Sequence, residues 1–214
     1  MTDLWSWERA GEALPFLLEG FQITLLATVL GMVIAATLGL VIALLRRSKH
    51  RWISMPVGWV NEFIRQTPLL VQLVFAYYLF TNLAPLQIGI AVLGIHYATY
   101  LSEVYRAGIE GVPPGQWEAT RALSMGPVRA WQAVILPQAI RSTLPALGNY
   151  AVSMFKETPY LFAISVVELV TAAQQFGARN FQYLEAITLA GLIFLIASYP
   201  TSLLIRKLEK RLAY

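Results

Sequence analysis

The sequence predicts an all-α integral membrane protein with five transmembrane helices, and three observations carry that expectation. Of 214 residues, 57% are hydrophobic and only 13% charged, with a mean hydropathy of +0.58; soluble domains carry about a quarter charged residues. Apolar runs near the bilayer-crossing length of roughly 20 residues recur along the chain. The positive charge, net +4, gathers at the ends of those runs, as topology determinants do. It forms no separate basic domain, so membrane lipid is an expected partner and nucleic acid is not. The chain has no Cys, which removes disulfides, thiolate catalysis and Cys-based metal sites together. No cleavable leader is expected. Asp3, Glu8, Glu12 and Glu19 stand where a basic region would be needed, and the first apolar run is too long.

The first span, Phe21 to Leu45, has no formal charge and is closed by Arg46, Arg47, Lys49 and Arg51. The second is a short run, Pro68 to Leu83, extended backwards by an amphipathic lead-in from Ile53, so that it covers about 57–83 with Glu62 and Arg65 at its inner end. After the turn from Asn82 to Pro85, a third span starts at Leu86 and closes at Arg106. A polar segment, 111–141, follows. The fourth span, Leu144 to Val167, carries Lys156, Glu157 and Pro159 inside it. A Gln/Asn/Gly stretch from Gln174 to Gln182 leads to the fifth, Ala186 to Ile205, and Arg206, Lys207, Lys210 and Arg211 end the chain. The whole chain, 1–214, reads as one transmembrane domain. With the N-terminus outside and the C-terminus inside, the basic residues fall on the cytoplasmic side and only Arg9 and Arg179 lie outside. Five helices make a thin wall for a solute pathway, so a dimer or pseudo-dimer with a second subunit is expected.

The polar segment is unusual for a protein that only needs to span. Gln116 to Leu123 has good helix formers with Glu118 in the first turn, where it complements the helix dipole. Gly126-Pro127 breaks the run, and a second helical stretch, Val128 to Leu136, is expected to stop around Pro137. Two short helices joined by a sharp turn make a knob suited to a soluble partner; an amphipathic hairpin lying on the headgroups is the alternative. Lys156 and Glu157 are costly inside a span, which points either to a polar pathway or to an ion pair tying helices together. A site offering one cation and one anion suits a zwitterionic solute. Pro159 frees a carbonyl one turn back, and exposed backbone at that depth is tolerated where it lines a cavity or is covered by protein.

Other polar residues carry less. Glu103 and Arg106, one turn apart, read as a structural pair. Tyr77, Tyr78, Tyr97, Tyr100 and Tyr160 are candidates for a lining, with interfacial anchoring as the alternative. His96 reads as span packing and His50 as a solvated surface residue, neither with partners at metal-ligand spacing. The sequence contains no Gly-x-x-x-x-Gly-Lys-[Ser/Thr], His-Glu-x-x-His or Gly-x-Ser-x-Gly, so neither ATP binding nor intramembrane hydrolysis is expected of this chain. A passive channel leaves the polar segment unexplained.

Several ordered motifs carry a resemblance. Gly115-Gln116-x-Glu118-Ala119-Thr120-Arg121-Ala122-Leu123, followed by Val134-Ile-Leu-Pro-Gln-Ala139, resembles the EAA loop of binding-protein-dependent ABC importer permeases. Arg65-Gln-Thr-Pro-Leu-Leu-Val-Gln72, Tyr100 to Val112 and Lys156-Glu-Thr-Pro159 resemble segments of the polar amino acid permeases, and the likeness runs from Phe21 through most of the chain. It implies a type I ABC importer permease fold in a bacterial inner membrane. It also implies a coupling helix formed around Gln116, Glu118, Ala119, Thr120, Ser124 and Gly126, and a translocation path at Lys156, Glu157 and Thr158. The implied partners are two ATPase subunits, which would hold ATP and magnesium, a second permease subunit, and a periplasmic or extracellular solute-binding protein. No cofactor is expected in this chain. Two departures stand out: Ser124 occupies the family's usual Gly, so the turn is expected to be shifted to Gly126 or remade, and Thr120 replaces the second Ala. His96 to Pro113 and Phe155 to Leu161 look most like ectoine/hydroxyectoine permeases, which implies ectoine as solute, with a polar amino acid as the alternative.

Overall fold

The longest element sets the frame. In the computed structural model, which describes residues 5–212, α1 (Trp7–Arg46) is a single helix of 40 residues, about 60 Å at the usual rise per residue. Its buried face carries only one large side chain, Leu17; the rest are Ala, Gly and Thr, running from Ala10 through Gly20, Thr24, Gly31 and Gly39 to Ala43. Apolar tails solvate Leu as well as a neighbouring helix does, so helices in lipid gain from close approach of small residues. α4 (Pro85–Glu110) uses that seam. A Cβ on Gly39 would lie 2.9 Å from the Ala98 carbonyl oxygen, and one on Gly94 would lie 2.6 Å from Ile34.

Between them, α2 (Arg51–Gln66) and α3 (Leu69–Leu79) are separate helices. The continuous second span expected from sequence is therefore broken at Thr67-Pro68. Proline pushes the preceding residue out of the helical region, and Thr67 is extended, with ψ 141°. Pro68 itself has no N–H to donate to a preceding turn.

The chain then runs through α5 (Pro114–Ala122) and α6 (Pro127–Ala130) into a π segment (Trp131–Ile135) and α7 (Leu136–Glu157). The expected stop at Pro137 does not occur. Pro137 stands in the first turn of α7, and the wider π turns before it relieve the clash of its ring with the preceding backbone. α7 ends at Glu157, a 3₁₀ segment covers Thr158–Ile164, and Ser165 turns the chain with φ 62°. Next comes α8 (Leu169–Asn180), so Leu144 to Val167 is not one straight span, and Gln174 to Asn180 is helix rather than connecting loop. The bend between this helical run and α8 is 50°.

The N-terminal donors of α8 explain why it can start there. The fully buried Glu168 carboxylate accepts from Val170 N (3.0 Å) and Thr171 N (2.7 Å), while Leu169 N donates to Thr24 Oγ1 of α1 (3.1 Å). α9 (Tyr183–Leu212) closes the fold. Buried Glu185 of α9 accepts from Ser6 N (3.0 Å), tying the start of α9 to the start of α1. That contact explains why α1 begins well before Phe21: Glu8, Glu12 and Glu19 interrupt the apolar pattern but are good helix formers. Asp3 lies outside the described residues.

All regular structure among the described residues is helical. α1 and α9 are each long and apolar enough to cross a membrane, and the bent pair that ends in α8 makes a third candidate. One apolar core joins α1, α3, α4, α7 and the 3₁₀ segment; a second joins α1, α8 and α9.

Candidate functional site: a polar recess and a helix-turn knob

The break between α2 and α3 leaves backbone carbonyls of the last turn of α2 without helical partners. Gln72, one turn into α3, takes them up: its Nε2 lies 2.7 Å from the Ile64 carbonyl oxygen, 3.1 Å from that of Thr67 and 2.7 Å from Thr67 Oγ1. Its Oε1 lies 3.1 Å from His96 Nδ1 on α4. Irregular backbone at membrane depth is tolerated where side chains satisfy it or where it faces a cavity. At this break side chains satisfy the freed carbonyls, and the backbone borders a cavity.

The cavity is a recess of about 510 Å³ lined by Arg65 to Leu70 of the break, His96 and Tyr100 of α4, Glu157 at the end of α7, and Tyr160. A smaller space of about 190 Å³ shares its His96, Tyr100 and Glu157 wall and is lined also by Tyr97, Tyr150 and Ser153. Aromatic rings form the wall: His96 and Tyr100 are 5.3 Å apart by centroid, Tyr100 and Tyr150 5.8 Å, Tyr97 and Tyr150 6.3 Å. The Tyr97 hydroxyl donates to Glu157 Oε2 at 2.8 Å, and the Tyr100 hydroxyl reaches the Arg65 carbonyl at 3.4 Å. Arg65 is held by a bidentate pair with Glu62, at 2.9 and 2.8 Å. One cation, one carboxylate and several phenols thus share a single polar recess.

The three residues expected on a path are placed differently from one another. Glu157 lines the recess. Lys156 is exposed, lines neither part of it, and forms no ion pair among the described residues, Glu157 included. Thr158 is fully buried, its hydroxyl donating to the Phe155 carbonyl at 2.9 Å. Of the candidate tyrosines, Tyr97, Tyr100 and Tyr160 line the recess, while Tyr78 is exposed and Tyr77 packs against the core. Tyr150 and Ser153 had not been singled out, and Arg65 and Gln72 had been noted only at the inner edge of a span and as the ends of a family-like segment, with no site role. A glutamine one turn after a proline inside an apolar run is the signal that points to Gln72.

The knob is a second polar structure. α5 ends in a Schellman motif: Ser124 N donates to the Arg121 carbonyl (2.9 Å) and Met125 N to that of Thr120 (3.0 Å). Such an ending needs a left-handed residue after the cap, and Ser124 supplies it with φ 51°. Gly126 has φ −60° and serves as N-cap of α6. The expected shift of the turn to Gly126 therefore does not occur, because the hydrogen-bond geometry at the end of α5 selects position 124 whatever residue stands there. Gln116, Glu118 and Ala119 are exposed; Thr120 is 5% exposed and turns its hydroxyl to the Trp117 carbonyl (2.9 Å), away from any partner.

Behind that face, Trp117 packs edge-on against Trp131, with centroids 5.5 Å apart, and the Arg47 guanidinium lies 5.8 Å from the Trp131 ring centroid. Gln116 accepts from Gln138 at 3.2 Å. Leu123 and Val128 are exposed at the turn, an apolar pair the sequence reading had not marked. Nearby, Glu103 pairs with Arg106 as expected (2.8 Å) and also with Arg46, which joins the ends of α1 and α4.

Long apolar helices, a polar recess at a helix break and a polar surface knob together are features of a membrane transport protein. Residues 27–214 match the family described as binding-protein-dependent transport system inner membrane component, and the chain belongs to it. It is 43% identical over 203 residues to a probable amino-acid ABC transporter permease of Sinorhizobium fredii, covering 93% of this chain and 88% of that one. It is 37% identical to the L-cystine transport system permease TcyB of Bacillus subtilis (92% and 87% covered) and 33% identical to the glutamine transport system permease GlnP of Escherichia coli (96% and 97%). A crystal structure of an amino acid ABC transporter with histidines superposes with a TM-score of 0.90 at 33% identity, over 99% of this chain and all of that one. An inward-facing methionine transporter shares the fold, with a TM-score of 0.74 at 16% identity. The chain is thus a multi-pass permease subunit with the type I fold and not an enzyme. Its family works with a separate ATPase and a solute-binding protein.

Proposed function

We propose that this chain forms half of the pathway by which an ABC importer of the bacterial inner membrane takes up a zwitterionic amino acid. The observation that carries the reading is the recess, where Arg65 and Glu157 line one space with tyrosines between them. An α-carboxylate finds a cation in Arg65 and, at the start of α3, the positive end of a helix dipole. An α-ammonium finds the Glu157 carboxylate among phenol faces. Relatives named for amino acids support that class of solute, so an amino acid, rather than ectoine, is the proposed cargo.

In this reading the chain crosses five times, N-terminus outside and C-terminus inside. The α2–α3 pair forms the second crossing, and the run from Leu136 through Ile164 forms the fourth. The knob then faces the cytoplasm and docks on an ATPase subunit through Glu118, Ala119 and the Leu123–Val128 turn, with Ser124 and Gly126 shaping it and Gln116 bracing it on Gln138. ATP and magnesium belong to the ATPase pair. A second permease, copy or paralogue, closes the open side of the recess. Glu157 carries the path role in this chain; Lys156 and Thr158 flank it.

Proteoliposomes holding this chain, its neighbouring permease, ATPase and binding protein provide the test. ATP-dependent uptake of a labelled amino acid, displaced by the unlabelled one and not by ectoine, is the expected result. Uptake of ectoine alone overturns the cargo, and uptake without ATP overturns the importer.

A further inference from the structure

His96 belongs to neither charge of the recess, yet its chemistry is constrained by the broken span. Gln72 Nε2 faces three oxygens, two of them carbonyls. The third, Thr67 Oγ1, directs its own hydrogen to the Ile64 carbonyl (3.0 Å) and so accepts from Gln72. Reversing the amide would set its oxygen against two carbonyl oxygens, so the amide orientation is forced. Oε1 must then be an acceptor, and among the described residues the only group within reach, His96 Nδ1 at 3.1 Å, must carry a hydrogen. Neutral imidazole has one N–H, which leaves Nε2 with a lone pair.

That nitrogen has no hydrogen-bond partner among the described residues, and it is not one of the sealed, unpartnered polar atoms of the chain. His96 is 6% exposed as a residue and lines both parts of the recess. Its remaining exposed edge therefore opens onto that space. We propose that His96 is a solute-contacting acceptor: Gln72 holds it as the Nδ1–H tautomer, and Nε2 takes a hydrogen bond from a donor on the cargo. Gln72 is the positioning residue. The backbone break, through the carbonyls it frees, sets the tautomer. This rests on the reading of the recess as the amino-acid site, but the tautomer itself does not.

Nitrogen-15 histidine NMR tests it in the assembled complex. With only this chain labelled, by synthesis into lipid nanodiscs before assembly with unlabelled partner subunits, there are two histidines, and His50→Asn identifies the exposed one. The expected spectrum shows His96 protonated at Nδ1 and bare at Nε2, with the Nε2 signal moving when an equimolar mixture of the twenty L-amino acids is added. An Nε2–H tautomer overturns the proposal while leaving the recess reading intact. A parallel uptake assay with the carbon-14-labelled mixture compares His96→Asn, whose amide can still donate to Gln72 but has no counterpart of Nε2. KM is expected to rise about tenfold with kcat unchanged, the loss of roughly one hydrogen bond. An unchanged KM overturns the acceptor role. No import of any amino acid by the wild-type complex overturns the cargo reading and the acceptor role with it.

Discussion

The knob and the recess are both polar structures in an apolar protein, but they are assembled in opposite ways. Every hydrogen bond that shapes the end of α5 joins residues within five positions of one another, from Ala119 to Met125. The recess draws Arg65 from α2, Gln72 from α3, His96 and Tyr100 from α4, and Tyr150 and Glu157 from α7. Local structure of the first kind depends on the chain's own turn chemistry. The second kind exists only while the seam between α1 and α4 and the packing of α7 hold their register. Damage to the knob should therefore spare solute binding, and damage to the seam should spare the knob.

The largest expected effect is at Glu118. Reversing its charge in Glu118→Lys should lower uptake on the order of 100-fold, since a misplaced charge at a docked interface costs several kcal/mol. ATP hydrolysis should persist, uncoupled from solute, with the subunit still in the membrane. Normal coupled uptake would remove the knob from the coupling role. Next is Glu157→Gln, which keeps the shape and the Tyr97 contact but removes the charge. The loss of a charged hydrogen bond, about 1.5–3 kcal/mol, should raise KM about 10- to 100-fold with solute-independent ATPase activity unchanged. A variant that assembles poorly but transports normally per complex would make Glu157 structural.

Gly39→Leu sharpens the comparison. Its side chain would strike the Ala98 carbonyl, which lies between Tyr97 and Tyr100 in sequence, and Leu101 just after them. Overpacking of about 1–3 kcal/mol should reduce the folded amount and solute affinity together, while hydrogen exchange across Pro114 to Ala130 stays as in wild type. Loss of protection in the knob would contradict the separation argued here. The smallest effect is a gain: Ser124→Gly should stabilise the knob by about 1 kcal/mol, because a left-handed backbone costs an L-residue roughly that much and glycine nothing. Slower proteolysis within residues 114–130 would register it; faster cleavage would mean that the Ser124 hydroxyl, and not its backbone, matters.

The knob was largely legible in the sequence. Helix formers, Gly126-Pro127 and Glu118 located it within a few residues, since propensity and capping act over one or two turns. The errors there were of facing and junction: Thr120 turned inward, and the helix continued through Pro137 because a π segment absorbed the proline. The recess was half legible. Glu157 stood out as a charge in an apolar run and Pro159 as a freed carbonyl, whereas the break at Thr67-Pro68 was read through as part of one span. Nothing local separated Glu157 from Lys156, or brought Arg65, Gln72 and Tyr150 to it.

By itself, then, the sequence determined the helical membrane class and the position of the polar knob. These follow from the composition of contiguous segments and the backbone limits of proline and glycine. Tertiary structure alone decided which charge meets the cavity, which cation joins it, and that His96 meets Gln72. Those outcomes depend on the rotation of each helix against its neighbours, and that rotation is set by small-residue seams such as Gly39 against Ala98.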